Sequence, residues 1–190
     1  MCAGAFSVSN DSDLKWVYFL DGLKDGDNNI AALIRCNDML RQTFADSEHY
    51  QNYSVIMKNE LIFRKSGMVV GDKFFYDNYC TYQNTDFETW RKQSFEADTW
   101  QLFPLEEIDT GEETLQAMTF SYPVRNYIQQ EQEANAVVQF LLSKENLEQM
   151  FGQLLSRQGG ILIYDAEDRL LASLGKINAD GDDPENTDLF

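Results

Sequence analysis

From residue 115 to residue 124 the chain alternates with a period of two, Met118, Phe120, Tyr122 and Val124 falling on one side and Ala117, Thr119 and Ser121 on the other. Successive side chains of a strand point to opposite faces, so this pattern predicts a half-buried β-strand, and Pro123 marks an edge or a strand end. A helical period would scatter the same residues around a cylinder. The run 134–142 is more continuously apolar and fits a central strand. Upstream, 53–58 and 61–65 flank Asn59-Glu60 and read as a hairpin, and 99–103 is a further strand that ends at Pro104.

Helical signals frame these strands. After the cap-rich Asp25-Gly26-Asp27-Asn28, the residues Ile30, Leu33, Ile34, Leu40 and Phe44 share one face of an amphipathic helix over 29–44. Residues 14–23 are a second helix or the broken first part of the same one, since Gly22 and Gly26 weaken continuity. Asp86 is placed to cap a short helix through Phe95. Ser143 is placed to cap another, with Leu147, Met150, Phe151, Leu154 and Leu155 along one stripe and Gly159-Gly160 closing it. A hairpin of 161–164 and 169–173 follows. From Asn178 onward Asp180, Asp182, Asp183, Glu185 and Asp188 predict a solvated tail, whose spacing fails the EF-hand template for calcium.

Charge removes whole classes of function. With 32 Asp plus Glu against 15 Lys plus Arg, the net charge is -17. Affinity for a phosphate backbone comes mainly from Lys and Arg displacing counterions, so direct nucleic-acid binding is not expected, and an anionic membrane surface is disfavoured for the same reason. The longest apolar runs, such as Trp16-Val17-Tyr18-Phe19-Leu20, fall far short of the roughly 20 residues that span a bilayer.

Chemistry-bearing motifs are sparse. Cys2, Cys36 and Cys80 show no C-x-x-C spacing, which argues against a zinc or thioredoxin-like site. Two unpaired, mostly buried thiols are the simpler expectation, and a Cys36–Cys80 bridge stays open for an oxidising compartment. His49 is the one histidine, and no nucleophile elbow, zincin or phosphate-loop motif accompanies it. We therefore expect no enzyme, no catalytic residues, no metal and no cofactor.

The aromatics are crowded instead. Ten of the 25 fall between Phe74 and Phe103, interleaved with polar residues as in Tyr76-Asp77-Asn78-Tyr79-Cys80-Thr81-Tyr82-Gln83-Asn84. Rings with amides and carboxylates between them suit a lid that stacks a flat small molecule and hydrogen-bonds its edges. The competing reading, equally weighted for any single ring, is a core fragment beneath a loop.

The hairpin Tyr53-Ser54-Val55-Ile56-Met57-Lys58-Asn59-Glu60-Leu61-Ile62-Phe63, the Tyr- and Trp-rich insertion with Phe87-Glu88-Thr89-Trp90, Thr119-Phe120-Ser121-Tyr122-Pro123 and Ala136-Val137-Val138-Gln139-Phe140-Leu141-Leu142-Ser143 together give an order of elements that resembles the Cache sensor domains. The nearest likeness is to the double-Cache extracytoplasmic regions of membrane-bound AraC-type transcription regulators and related histidine kinases. The resemblance covers most of 30–173. It implies an α+β fold: a PAS-like, five-stranded antiparallel sheet with a long N-terminal helix and helices or loops packed over one face. It divides the chain into an N-terminal helical region (1–52), a sheet domain (53–143) with an aromatic insertion (67–98), a connector helix and hairpin (144–175) that open a second module or join the first sheet, and an acidic tail (176–190).

The same resemblance implies a small-molecule sensor on the extracytoplasmic face of a bacterial membrane, in a membrane-anchored parent protein and with a possible homodimer. The candidate ligand-binding residues are Tyr76, Asn78, Tyr79, Tyr82, Asn84, Asp86, Trp90, Arg91 and Trp100, with Tyr122 and Arg125 in second rank. Amino-acid-specific members carry a Tyr, Arg, Trp, Tyr and Asp constellation that is matched here only by the fragment Trp90-Arg91. The ring-plus-amide composition suits a carbohydrate or other neutral polyol better. The alternative is an adaptor that offers the aromatic segment to a protein partner. Rings converging on an enclosed cavity favour the sensor, and rings spread over a flat face favour the adaptor.

Overall fold

The structure, a computed structural model, describes residues 26–44, 52–124 and 134–176. Seven strands form one antiparallel sheet in the spatial order β3-β2-β1-β7-β6-β5-β4, curled into a half-barrel. They are β1 (Asn52–Met57), β2 (Leu61–Arg64), β3 (Gly67–Val70), β4 (Thr81–Tyr82), β5 (Gln101–Asp109), β6 (Thr114–Val124) and β7 (Ala136–Ser143). A separate hairpin pairs β8 (Gly160–Tyr164) with β9 (Leu170–Gly175). The helices are α1 (Gly26–Phe44), α2 (Asp72–Tyr79), α3 (Phe87–Glu96), α4 (Lys144–Met150) and α5 (Gly152–Gln158).

Both faces of the sheet are covered, and the alternation of each strand sorts its side chains between two cores. On one side Tyr53, Val55 and Met57 of β1, Met118 and Phe120 of β6, and Val138 and Phe140 of β7 pack against Leu33, Cys36, Leu40 and Phe44 of α1 and against Leu171 and Leu174 of β9. On the other side Ile56, Ile62, Ala117, Val137 and Leu141 meet Phe75 and Tyr76 of α2, Tyr82 of β4, and Trp90 and Phe95 of α3. Central β7 is buried at every residue because cores press on it from both sides, which is why its sequence runs apolar without alternation. Fully burying one large apolar side chain is worth about 1.5–3 kcal/mol, so Phe75, Tyr76, Trp90 and Phe95 make the α2–α3 cover a major source of stability.

The expected PAS-like, five-stranded sheet with a long N-terminal helix and helices over one face is not the fold of this chain. The sheet has seven strands because two segments read as insertion join its edges. Gly67, at φ 140, lets the chain reverse out of β2 into β3, and Thr81–Tyr82 pairs with Asp109 and Ile108. Helices cover both faces, and α2 to α5 are only seven to ten residues long. The helices expected over 14–23, His49, Arg125 and the acidic tail lie outside the described residues.

Other differences have local causes. Strand β5 does not stop at Pro104 but runs to Asp109, because the ladder to β6 shifts register between Phe103 and Glu106 and a residue without an N–H is tolerated there. The helix expected from Ser143 onward is two helices, broken at Phe151 before Gly152. Its cap is as the sequence suggests, with the Ser143 hydroxyl accepting from the Asn146 N–H at 3.2 Å.

Candidate functional site

The second core contains a polar layer at its centre. Ser54 of β1 stands opposite Gln139 of β7, which stands opposite Ser121 of β6, so the three side chains form one row on the face beneath α2 and α3. Thr119 lies two residues from Ser121 on the same face. All four are buried, as is Ser94 of α3 above them. The Gln139 amide donates to the Ser94 hydroxyl at 2.9 Å, and the hydroxyls of Tyr82 and Thr119 share a hydrogen bond at 2.9 Å.

The layer is incompletely satisfied. Gln139 Oε1, Ser121 Oγ and Trp90 Nε1 are buried without a hydrogen-bond partner among the described residues. Trp90 and Ser94 are four residues apart on α3 and so share one helical face, and the Gln139–Ser94 bond sets that face against the sheet. A buried polar group left unpaired costs about 1–3 kcal/mol, and apolar residues at the same positions would avoid that cost. At its centre the layer is uncharged, made of Ser54, Ser94, Thr119, Ser121 and Gln139. It can therefore hydrogen-bond hydroxyls and amides but has no general base or nucleophile matched to a partner.

The roof over this layer is held together by ring packing and an ion pair. Trp90 packs against Phe75, Tyr76 and Phe87 with ring centroids 6.1, 5.4 and 6.0 Å apart. Each such pair is worth about 0.5–1.5 kcal/mol beyond its area. The buried Asp72 carboxylate accepts from Arg91 Nε at 2.5 Å and ties α2 to α3, while the Arg91 guanidinium lies 5.2 Å from the Phe95 ring. The loop between β4 and α3 is held by the buried Glu106, whose carboxylate accepts from the Asn84 N–H at 2.9 Å and the Thr85 hydroxyl at 3.2 Å. At the other end of α2 a Cβ on Gly111 would stand 2.2 Å from the Asn78 carbonyl oxygen, so the β5–β6 turn sits directly on the helix end.

Where α2 meets β1 and β2 there is a pocket of about 20 Å³ lined by Asn52, Ser54, Arg64, Tyr79, Cys80 and Thr110. That is room for one water molecule. Burial pushes the Cys80 thiol up to about 12 and the Tyr82 hydroxyl well above its ordinary value, so both stay protonated at neutral pH. Cys36 and Cys80 are not bridged to each other and belong to the cores on opposite faces of the sheet.

The candidate residues named from sequence are distributed unevenly. Tyr76, Tyr82 and Trp90 are buried in the roof and its contact with the sheet, Tyr76 donating to the Thr85 carbonyl oxygen. Tyr79 is half-buried beside Arg64, and Arg91 binds Asp72. Asn78 is exposed and donates to the Phe74 carbonyl oxygen at 2.9 Å; Asn84 is exposed; exposed Asp86 caps α3 through the Thr89 N–H at 2.8 Å, which holds its carboxyl below the usual range. Trp100 and Tyr122 belong to the opposite face, where exposed Trp100 stacks on Phe120 at 5.9 Å.

The sequence reading missed Ser54, Ser94, Thr119, Ser121, Gln139 and Arg64. One signal was available: a lone glutamine inside Ala136-Val137-Val138-Gln139-Phe140-Leu141-Leu142, in a strand read as buried on both sides. Such a residue needs a partner. Among the described residues no group of three or more His, Cys, Asp or Glu is arranged to hold a metal ion, and no helix is long and apolar enough to cross a membrane. No protein-family model matches the chain, and no curated protein matches it.

Proposed function

We propose that this chain is a non-catalytic binding module that takes a small polar ligand, a carbohydrate or other polyol, between the sheet and the α2–α3 roof. The observation that carries the reading is the trio of buried, unpartnered atoms Gln139 Oε1, Ser121 Oγ and Trp90 Nε1. Together they offer two acceptors, one of which also donates, and one donor beside an aromatic surface, the complement of a hydroxylated ring. The partner-surface alternative has less support, since most rings of the aromatic segment are turned inward and only Phe74 and Trp100 among its described large aromatics are strongly exposed.

The rings fill the space beneath the roof, so a sugar enters only if α2 and α3 move outward. That supplies the two arrangements a sensor needs, because a ligand transmits occupancy only by binding two arrangements unequally. The receptor setting on the extracytoplasmic face of a bacterial membrane is part of this proposal and rests on the sequence resemblance alone, not on the fold. Calorimetric titration with sugar, polyol and amino-acid panels tests the reading. We expect saturable binding of hydroxylated ligands, weakened about tenfold or more by Ser121→Ala combined with Gln139→Leu, as loss of two buried hydrogen bonds requires. Binding of amino acids alone would overturn it.

A further inference from the structure

The polar row does not end at Ser54. Across the β1–β2 ladder Ser54 stands opposite Arg64, so Arg64, Ser54, Gln139 and Ser121 occupy four adjacent strands in one line on one face. Neighbouring strands lie about 4.8 Å apart, which puts the backbone of Arg64 roughly 10 Å from that of Gln139.

The Arg64 side chain is only 13% exposed. Its guanidinium lies 3.9 Å from the centre of the Tyr79 ring, in the seam pocket that also contains Ser54, Asn52 and Thr110. Among the described residues its guanidinium makes one hydrogen bond, from Nη2 to Glu112 Oε1 at 3.0 Å, and the Glu112 side chain is 66% exposed. A mostly solvated carboxylate binds such a cation weakly. A guanidinium is a planar fork suited to two parallel hydrogen bonds with a carboxylate, and here it spends one on a partner that can swing into water.

From this juxtaposition we infer that the module's ligand carries a carboxylate, which displaces Glu112 from Arg64 at the seam while its hydroxyls reach towards Ser54 and Gln139. The chemical class is a sugar acid or similar polyhydroxy carboxylate. The inference rests on the binding reading above and adds the anionic group. A chain of net charge -17 repels anions in general, so binding of a carboxylate depends on the cation fixed at the site.

The test is titration of the full chain with glucuronate and with glucose, in the wild type, Arg64→Gln and Glu112→Gln. We expect glucuronate to bind about tenfold or more tightly than glucose in the wild type, as a charge-assisted bidentate pair allows. Arg64→Gln brings the ratio of the two affinities to about one, and Glu112→Gln raises it several-fold because the competing carboxylate is gone. Glu112 is exposed, so that variant reports even if Arg64→Gln folds poorly. Equal affinities with no response to either variant overturn the inference and leave the binding reading standing. Binding of neither ligand overturns both.

Discussion

Gln139 on the central strand and Ser94 on the roof helix are joined by a hydrogen bond of 2.9 Å, and the same Gln139 leaves its Oε1 without a partner. The contact crosses a core of Trp90, Phe95, Val137 and Leu141, where apolar side chains would pack as well. If the pair is retained for binding, stability does not depend on it. Replacing both partners together, Gln139→Leu with Ser94→Ala, is expected to change the unfolding free energy by less than about 1 kcal/mol or to raise it, because no polar group of the pair is left unpaired. Ligand affinity is expected to be lost. Urea unfolding beside titration checks both; a large loss of stability would make the pair structural.

Gly111 adopts φ 74 and a Cβ there would meet the Asn78 carbonyl oxygen at 2.2 Å. Gly111→Ala therefore combines left-handed strain with a backbone collision at the end of α2. A loss of about 2 kcal/mol or more is expected, with weakened ligand binding because the roof is displaced. Thermal unfolding of the variant measures the first effect, and unchanged stability would mean that the turn and the helix end are not in contact.

Alkaline pH should loosen the second core. The Cys80 thiol is moved by burial from 9.0 to about 12, and Tyr82 is raised well above 10.0 by the same cause. Both are neutral when protonated, so the folded chain keeps protons that the unfolded chain releases. Their contribution is fully present below the unfolded values and is lost as pH rises from about 9 towards 12, at up to about 1.4 kcal/mol per pH unit for each group titrating in that window. Tyr53, raised to about 12 by burial, adds in the same direction on the other face. Unfolding midpoints across this range, with Cys80→Ala for comparison, test it: the variant should decline less steeply, and a wild-type profile flat to pH 11 would contradict it.

Several elements were legible because the cue was local. Ser143 and Asp86 announced their helices through side-chain caps, and Leu115 to Val124 announced a strand through its alternation. What failed depended on distant partners. Thr81–Tyr82 is a strand only because β5 continues past Pro104 to meet it. The segment Asp72–Tyr79 read as part of a lid with no helix assigned, yet its apolar Phe75, Tyr76 and Tyr79 stand at the spacing of one helical face. The site was hidden by the second layer of helices: Thr119 and Ser121 occupy the polar side of an alternating strand, the side that faces water in a sheet covered on one face. Here that side is roofed, and the same residues become the buried row.

The central claim is that a hydroxylated ligand seats between this row and α3. The most direct measurement is heteronuclear NMR of isotope-labelled protein during titration with glucose and glucuronate, following the indole N–H of Trp90 and the side-chain amide of Gln139. The account predicts that both signals move saturably and together, while the indole of exposed Trp100 stays in place. Movement confined to Trp100 and other exposed side chains, or no movement at all, would contradict it.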